Sequence, residues 1–287
     1  MIEVRENIHG NKKRFEYAVS LIERFQCASV LDVGCGNGEH LTTPLAEHFP
    51  SVRFVGIDSD AATMRLAEEI AKHHTVKNIQ FFTDAEFQSD EKFDLVIASE
   101  VIEHVERPGE FLLFLRSKLK PKGAILLTTP NGYGAFELMT AIETPLHLLG
   151  VMNLLSKLPG LRSLKVGNSY DTGNVADLQA DTLAISPHVN FFSYKRLLTL
   201  FKEAGLRVEE YKPRALFGGL GFQQLIRSAE ALHKNAYSSD GKSPYLVSGW
   251  MFVLKSSSNE PKKQFSYRRR FNERLRRRLT AKRWGTG

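Results

Sequence analysis

Cysteine is scarce: Cys27 and Cys35 are the chain's two, and their spacing suits no metal site. So few thiols argue against a disulfide-stapled secreted fold and suit a reducing, cytoplasmic setting. No uninterrupted apolar run is long enough to span a bilayer, and the opening "MIEVRENIHGNKKRFEYA" has no apolar signal region. Acid is nearly missing from one place. From Lys255 onward twelve Lys/Arg stand against two Asp/Glu, a net of +10. The whole chain carries +7, so the body before that point is −3. A basic-surface argument for nucleic acid therefore applies to the tail alone. No internal repeat is visible.

What is present is 287 residues at 42% apolar, enough for one α/β core with an insertion or for two small domains. Residues 11–26 read as an amphipathic helix with Phe15, Val19, Ile22 and Phe25 on one side. Strand patterns then alternate with helical ones. The strands are expected at 29–33, 52–57, 78–83, 93–99 and 124–129, and the helices at 41–49, 60–74 and 109–119. Lys120-Pro121-Lys122-Gly123 reads as a stop signal after the last of these helices. Such alternation argues for a parallel sheet with helices on both faces.

After Pro130 the rhythm breaks, and 131–187 reads as an insertion or lid over the sheet edge. The core resumes with a helix after Ser193, closed by Gly205. Strands follow at 206–211 and 249–255, with a helix near 222–234 between them. "SSSNEPKK" has the composition of a linker. The expected organisation is a core of 1–130 and 188–255, the insertion, and a basic tail, 256–287.

"VLDVGCGNGEH" is the most informative segment. A strand ends at Val33, and Gly34, Gly36 and Gly38 follow at every second position. Glycines there permit unusual backbone angles and close approach of a ligand to the main chain. A helix opens just after, so its free N–H groups face the loop. Asp58, twenty residues past Gly38 and after the second strand, can accept both hydroxyls of an unphosphorylated ribose. G-x-G-x-G lacks the third-glycine spacing of a pyrophosphate cradle, which argues for a nucleoside and against a dinucleotide.

This segment resembles motif I of the class I S-adenosylmethionine-dependent methyltransferases. "FFTDAEF", "FDLVIASEVIEHVERP" and "LKPKGAILLTTPN" are similar to that family's later motifs. The resemblance covers about 29–130 and 188–255. It implies a doubly wound, Rossmann-like sheet of seven strands, mostly parallel, with an antiparallel last strand. It also implies S-adenosylmethionine as cofactor, held by Asp32, Gly34, Cys35, Gly36, Asp58, Ser59, Asp84, Ala85, Ser99 and Glu100. Within that set Asp84 would meet the adenine amino group, with Ala85 beside it.

"IASEVIEHVERP" follows the fourth strand. Glu100, Glu103 and His104 are spaced i, i+3, i+4, so a helix would project all three from one side. Methyl transfer depends on positioning, and a hydroxyl acceptor must also lose its proton. A general base, a Lewis-acid metal, or both would serve. His104 could be that base. Alternatively Glu100, Glu103 and His104, joined by His188, could hold Mg²⁺ or another divalent ion. The pattern resembles the ubiquinone-biosynthesis O-methyltransferases and also the small-RNA 3′-terminal 2′-O-methyltransferases, where such residues hold a metal. The plainer alternative is acids complementing a helix N-terminus and a hydrogen-bonded imidazole.

The expected activity is methyl transfer to a hydroxyl oxygen of a small-molecule, saccharide or lipid-linked acceptor. An RNA 2′-O-methyltransferase and a non-catalytic cofactor-binding protein are the alternatives. Tyr133, Phe136 and Tyr170 are candidates for an acceptor wall. The tail places Phe271, Leu275 and Leu279 at i, i+4, i+8 among arginines. It could lie on an anionic membrane, touch RNA phosphates, or remain solvated and frayed. "TPLHLLGVMNLLSKLPGL" is apolar around most of its turn, and it reads as a helical lid or a shallow membrane contact.

Overall fold

Seven apolar strands pair into one sheet in the order β3-β2-β1-β4-β5-β7-β6. The computed structural model describes residues 2–134, 188–217 and 228–284, with isolated positions between 141 and 157. The strands are β1 (Ser29–Val33), β2 (Arg53–Asp58), β3 (Ile79–Thr83), β4 (Phe93–Ser99), β5 (Leu119–Pro130), β6 (Leu206–Pro213) and β7 (Gly249–Ser256). β1 to β5 run parallel, and β7 lies antiparallel between β5 and β6. The helices are α1 (Asn11–Arg24), α2 (Thr42–His48), α3 (Ala61–His73), α4 (Pro108–Ser117), α5 (Tyr194–Glu203), α6 (Ala229–Tyr237) and α7 (Phe271–Trp284).

Central strands of a sheet covered on both faces read as unbroken apolar runs. β1 is buried at all five positions and β5 over its last eight. One core cluster packs α4 and α5 on one face, and a second packs α1 and α2 on the other. Phe252 is fully buried in the first cluster, with Phe201 edge-on at 5.2 Å. The strand order reverses between β1 and β4, the kind of crevice in which open α/β sheets bind ligands.

The structure departs from expectation in four places. α1 buries Arg14, Tyr17, Ala18, Leu21 and Ile22, and leaves Phe15, Val19 and Phe25 half-buried at the rim. The stripe is rotated because Arg14 turns inward. β5 begins at Leu119 and runs through the expected stop. Leu119 pairs with Phe93, and the register shift beyond it is absorbed at Gly123, where a Cβ would lie 2.8 Å from the Phe93 carbonyl. α6 spans Ala229–Tyr237, three residues past the expected end, and 222–227 of the expected 222–234 helix lie outside the described residues. Finally, the linker-like segment lies on the core. Lys262 N–H donates to the Glu203 carbonyl at 2.8 Å, and the Glu203 carboxylate accepts from Lys262 Nζ at 3.0 Å and from Ser266 N–H at 2.9 Å. Phe265 covers Gly109, where a Cβ would stand 2.3 Å from its ring. Among the described residues, no helix is long and apolar enough to cross a membrane.

Glu203 is the peg for this strap. Glu203→Ala should cost ~2 kcal/mol in chemical unfolding, the scale of hydrogen bonds to a charged group. It should also open Lys262 and Lys263 to trypsin while the rest of the chain stays resistant; an unchanged cleavage pattern would show that the strap is held elsewhere.

Candidate active site

The loop after β1 and the turn after β4 flank the crevice. Gly34, Gly36 and Gly38 all have positive φ, at 73°, 54° and 69°. At Gly34 a Cβ would stand 2.5 Å from the Val101 side chain, so the loop rests directly on the turn that carries Glu100 to His104. Gly36 has nothing within 4 Å of a Cβ position, which leaves its backbone open to a ligand. Its N–H donates to Asp58 at 3.0 Å, so the acid after β2 is aimed at the loop. The other Asp58 oxygen accepts the Asp60 N–H at 3.2 Å.

The remaining expected cofactor residues lie on the same edge. Asp84 donates its N–H to the Asp58 carbonyl at 3.1 Å, and burial with the Asp58 charge raises its carboxyl. Ser59 and Ala85 are exposed beside them. Ser99 bonds Thr128 through their hydroxyls at 3.1 Å. Burial, with Asp32 and Asp58 nearby, raises the Cys35 thiol, so it is no nucleophile. Asp32 is buried, accepts from Thr42 Oγ1 at 2.6 Å with one oxygen, and leaves the other without a protein partner.

The turn after β4 is not helical. Glu100 sits at φ 59°, and α4 begins only at Pro108. The expected i, i+3, i+4 face therefore does not form, yet the turn brings Glu103 and His104 together by another route. Val189 and Asn190 both donate their N–H groups to the Glu103 carbonyl at 2.9 Å. The Asn190 amide reaches the Ile102 and Val105 carbonyls at 3.1 and 2.7 Å. These bonds place His188 against His104, ring centroids 4.9 Å apart. Ligand atoms of Glu103, His104 and His188 all lie within 4.8 Å of one another.

Glu100 departs from the expected set of four. Its carboxylate accepts from Thr128 Oγ1 at 2.6 Å and pairs with buried Arg214. Burial alone would raise it, but Arg214, Arg14 and Thr128 outweigh that and hold it down at about 2. Glu103 is 1% exposed, with one oxygen on Thr129 at 3.1 Å and the other unpartnered. Burial first, and the Glu100 charge second, push it up to about 8, against the pull of His188.

Arg14, Arg214 and Asn190 belong to this site and no sequence signal marked them. Arg14 is buried in α1, its Nε unpartnered, under the pull of Glu100 and Asp32. Burial pushes His9 down to about 4, and Arg214 and Glu100 act on it, so the segment before α1 reaches the crevice. Tyr133 donates its hydroxyl to Glu273 at 2.9 Å. Phe136 and Tyr170 lie outside the described residues.

Sheet order, glycine loop and acid after β2 define the class I methyltransferase fold. The chain belongs to the methyltransferase-domain family, whose model matches residues 10–211. It is 38% identical over 126 residues to a ubiquinone biosynthesis O-methyltransferase of Rickettsia felis, covering 42% of this chain and 50% of that protein. It is 41% identical over 108 residues to the mitochondrial ubiquinone biosynthesis O-methyltransferase of Mus musculus, covering 36% of this chain and 28% of that one. The chain thus spans half or less of the length of these relatives. The structure of PKMT2 from Rickettsia typhi in complex with AdoHcy superposes over 87% of this chain and 52% of that one, at 16% identity and a TM-score of 0.51. That likeness shows the fold alone.

Asp32 gives the site a pH signature. Its carboxyl is pushed from 3.8 up to about 6 by burial, which the Thr42 bond and Arg14 only partly oppose. The folded chain holds this proton where the unfolded chain has released it. The contribution to stability is full below about pH 4 and lost as pH rises through about 6. Relative to the natural chain, Asp32→Asn should gain ~3 kcal/mol of unfolding free energy between about pH 4 and 7. Parallel stability curves for the two proteins would refute the shift.

Proposed function

We propose that the protein transfers a methyl group from S-adenosylmethionine to a hydroxyl oxygen of a small, lipid-like acceptor. The observation that carries this reading is the Glu103, His104 and His188 cluster beside the turn on which Gly34 rests. The O-methyltransferase names of the relatives support oxygen as the atom methylated.

On this reading Asp58 takes the ribose hydroxyls and the open backbone at Gly36 lies under the cofactor. Asp84 faces the adenine amino group. Arg14, buried and with a donor to spare, meets the carboxylate of the methionine part. Gly34, Cys35, Ser59, Ala85 and Ser99 complete the walls.

The cluster fits a divalent metal. Its ligand atoms are within one coordination sphere's reach of each other, and Glu103 keeps an unpartnered oxygen at a site where burial makes that costly. Two imidazoles and one carboxylate suit a borderline transition metal better than Mg²⁺, which prefers an all-oxygen shell. A bound ion would supply Lewis acidity, lowering the acceptor hydroxyl into a range where it can give up its proton. Glu103, His104 and His188 would hold it. Glu100, neutralised by Arg214, orders the turn from which Glu103 and His104 project. Transfer breaks the S–CH₃ bond and forms an O–CH₃ bond, leaving S-adenosylhomocysteine, and the hydroxyl proton is released to solvent. The site's main contribution is alignment of the two partners.

Calorimetry should show uptake of S-adenosylmethionine and S-adenosylhomocysteine, weakened roughly tenfold or more by Asp58→Ala. Tight binding of a pyridine dinucleotide in their place would end the reading. Cofactor uptake with no transfer to any phenolic or lipid-linked hydroxyl, and no effect of His104→Ala, would leave a binding protein only.

The metal has a separate test. His188→Ala and a chelator should abolish activity together, and titrated Zn²⁺ or Mn²⁺ should bind the natural chain but not the variant. Activity indifferent to both would leave His104 as a metal-free general base.

A further inference from the structure

The helix α7 is built inside out. Its one carboxylate, Glu273, is 0% exposed, and accepts from the Arg270 N–H at 2.7 Å, from Tyr133 at 2.9 Å and from Arg196. Arg276 donates to the Gly132 carbonyl at 2.7 Å and lies 3.8 Å over the Phe191 ring. Arg277 pairs with Glu106. Polar groups thus face the body. The other side shows Phe271 at 75% exposure and Leu275 at 46%, with Arg274, Arg278 and Lys282 exposed beside them. These five positions recur at i, i+3, i+4, i+7 and i+11, one stripe of a helix with no acid on it. Arg268 and Arg270 are exposed just before it.

A surface helix normally hides its apolar stripe against the core. In α7 a buried hydrogen-bonded carboxylate does the anchoring, and the apolar residues point away. Their exposure calls for a second low-polarity medium. Phe271 and Leu275 flanked by arginine and lysine, without acid, suit contact with the interface of an anionic bilayer. RNA phosphates would engage the arginines and leave Phe271 and Leu275 with nothing to meet. One outward aromatic is no stacking series.

We propose that α7 docks the protein on an anionic lipid surface through Phe271, Arg274, Leu275, Arg278 and Lys282, while its inner face clamps the walls of the site. The clamp is visible in the contacts. Arg276 holds Gly132 and Phe191, and Arg269, just ahead of the helix, donates to the Val189 carbonyl and the Asn190 side chain at 3.0 Å each. Val189, Asn190 and Phe191 belong to the strip that carries His188, and Gly132 follows β5. The lipid-facing element and the wall of the site are therefore one packed unit. Lipid binding by this face does not depend on the methyl-transfer reading and is measured without it.

The test is co-sedimentation of the full chain with vesicles of phosphatidylcholine alone, or with about one third phosphatidylglycerol, a strongly anionic surface. The protein should pellet with the anionic vesicles and remain in solution with the neutral ones. Arg274→Gln and Arg278→Gln should each weaken binding roughly fivefold. The pair Phe271→Ser with Leu275→Ser should weaken it about tenfold or more. Unchanged unfolding midpoints would show that the variants keep their fold, since all four side chains point outward. Equal binding to both kinds of vesicle would overturn the proposal. So would binding indifferent to these substitutions, or capture of single-stranded RNA through Arg274 and Arg278 with no vesicle binding.

Discussion

The turn after β4 cannot hold itself, and the site depends on how it is held. Its internal backbone bond, from the His104 N–H to the Val101 carbonyl at 2.9 Å, leaves Glu103 unfixed, and it begins at a residue in the left-handed region, Glu100. Its order comes from a strip more than eighty residues later in the chain. Asn190 is the centre of that contact. Its backbone and side chain together bind three carbonyls of the turn, at Ile102, Glu103 and Val105. Tyr267 and Arg269 then bind the Asn190 side-chain oxygen, at 3.2 and 3.0 Å. Three distant segments converge on one buried amide. Groups so satisfied in a low-dielectric setting specify a single arrangement, because any alternative leaves polar atoms without partners. His188 meets His104 as a by-product of this stitching.

Charge in the crevice is sorted by partnership. Glu100 and Glu103 stand three residues apart in one turn, both deprived of water, and are driven in opposite directions. Glu100 has Arg214 and Thr128 and stays ionised. Glu103 has one hydroxyl and the repulsion of Glu100, and holds a proton into the neutral range. Environments that separate the titration of neighbouring carboxyls also separate their roles. One acid is structural, committed to an arginine. The other keeps one buried oxygen without a hydrogen-bond partner. Asp32 repeats the second pattern on the loop side, with a free oxygen and a raised carboxyl.

The sheet was legible because buried strands carry their signal locally. β1 and β4 begin and end where their apolar runs do, β3 and β7 differ by one residue at one end, and β2 is shifted by one residue at both. The glycine loop and Asp58 were legible for a related reason: each follows a strand at a fixed remove, so the sheet places them. The form of the turn after β4 was not legible, because i, i+3, i+4 spacing is also met in an irregular turn closed by a far segment. Arg14, Arg214 and Asn190 carried no local signal at all. Their partners lie across the fold, and only the assembled sheet brings Gly249 and Gly10 close enough to wall Arg214 in. A linker composition in 256–263 said nothing of Glu203, whose two oxygens turn that stretch into a strap.

The tail shows the limit of periodicity from the other side. Phe271, Leu275 and Leu279 were expected to share a stripe, and Phe271 and Leu275 do face outward together. What the pattern could not tell was which face of the helix meets the protein. Apolar residues usually settle that, since burying them is the main drive to dock. Here an acid prevails, because Glu273 finds the Tyr133 hydroxyl after β5 and the Arg196 guanidinium on α5, and accepts the Arg270 N–H just ahead of its own helix. A buried carboxylate with that many donors is secure, whereas the same acid facing lipid would repel it. The arrangement orders the basic segment against the body and keeps its apolar stripe uncovered. Its inner face meanwhile rests on Gly132 and Phe191 through Arg276. Fold supplies the cofactor side of such enzymes almost by itself, and many chemistries share it. At this edge the chain adds to that fold the 188–191 strip, the end of β5 and the helix that clamps them.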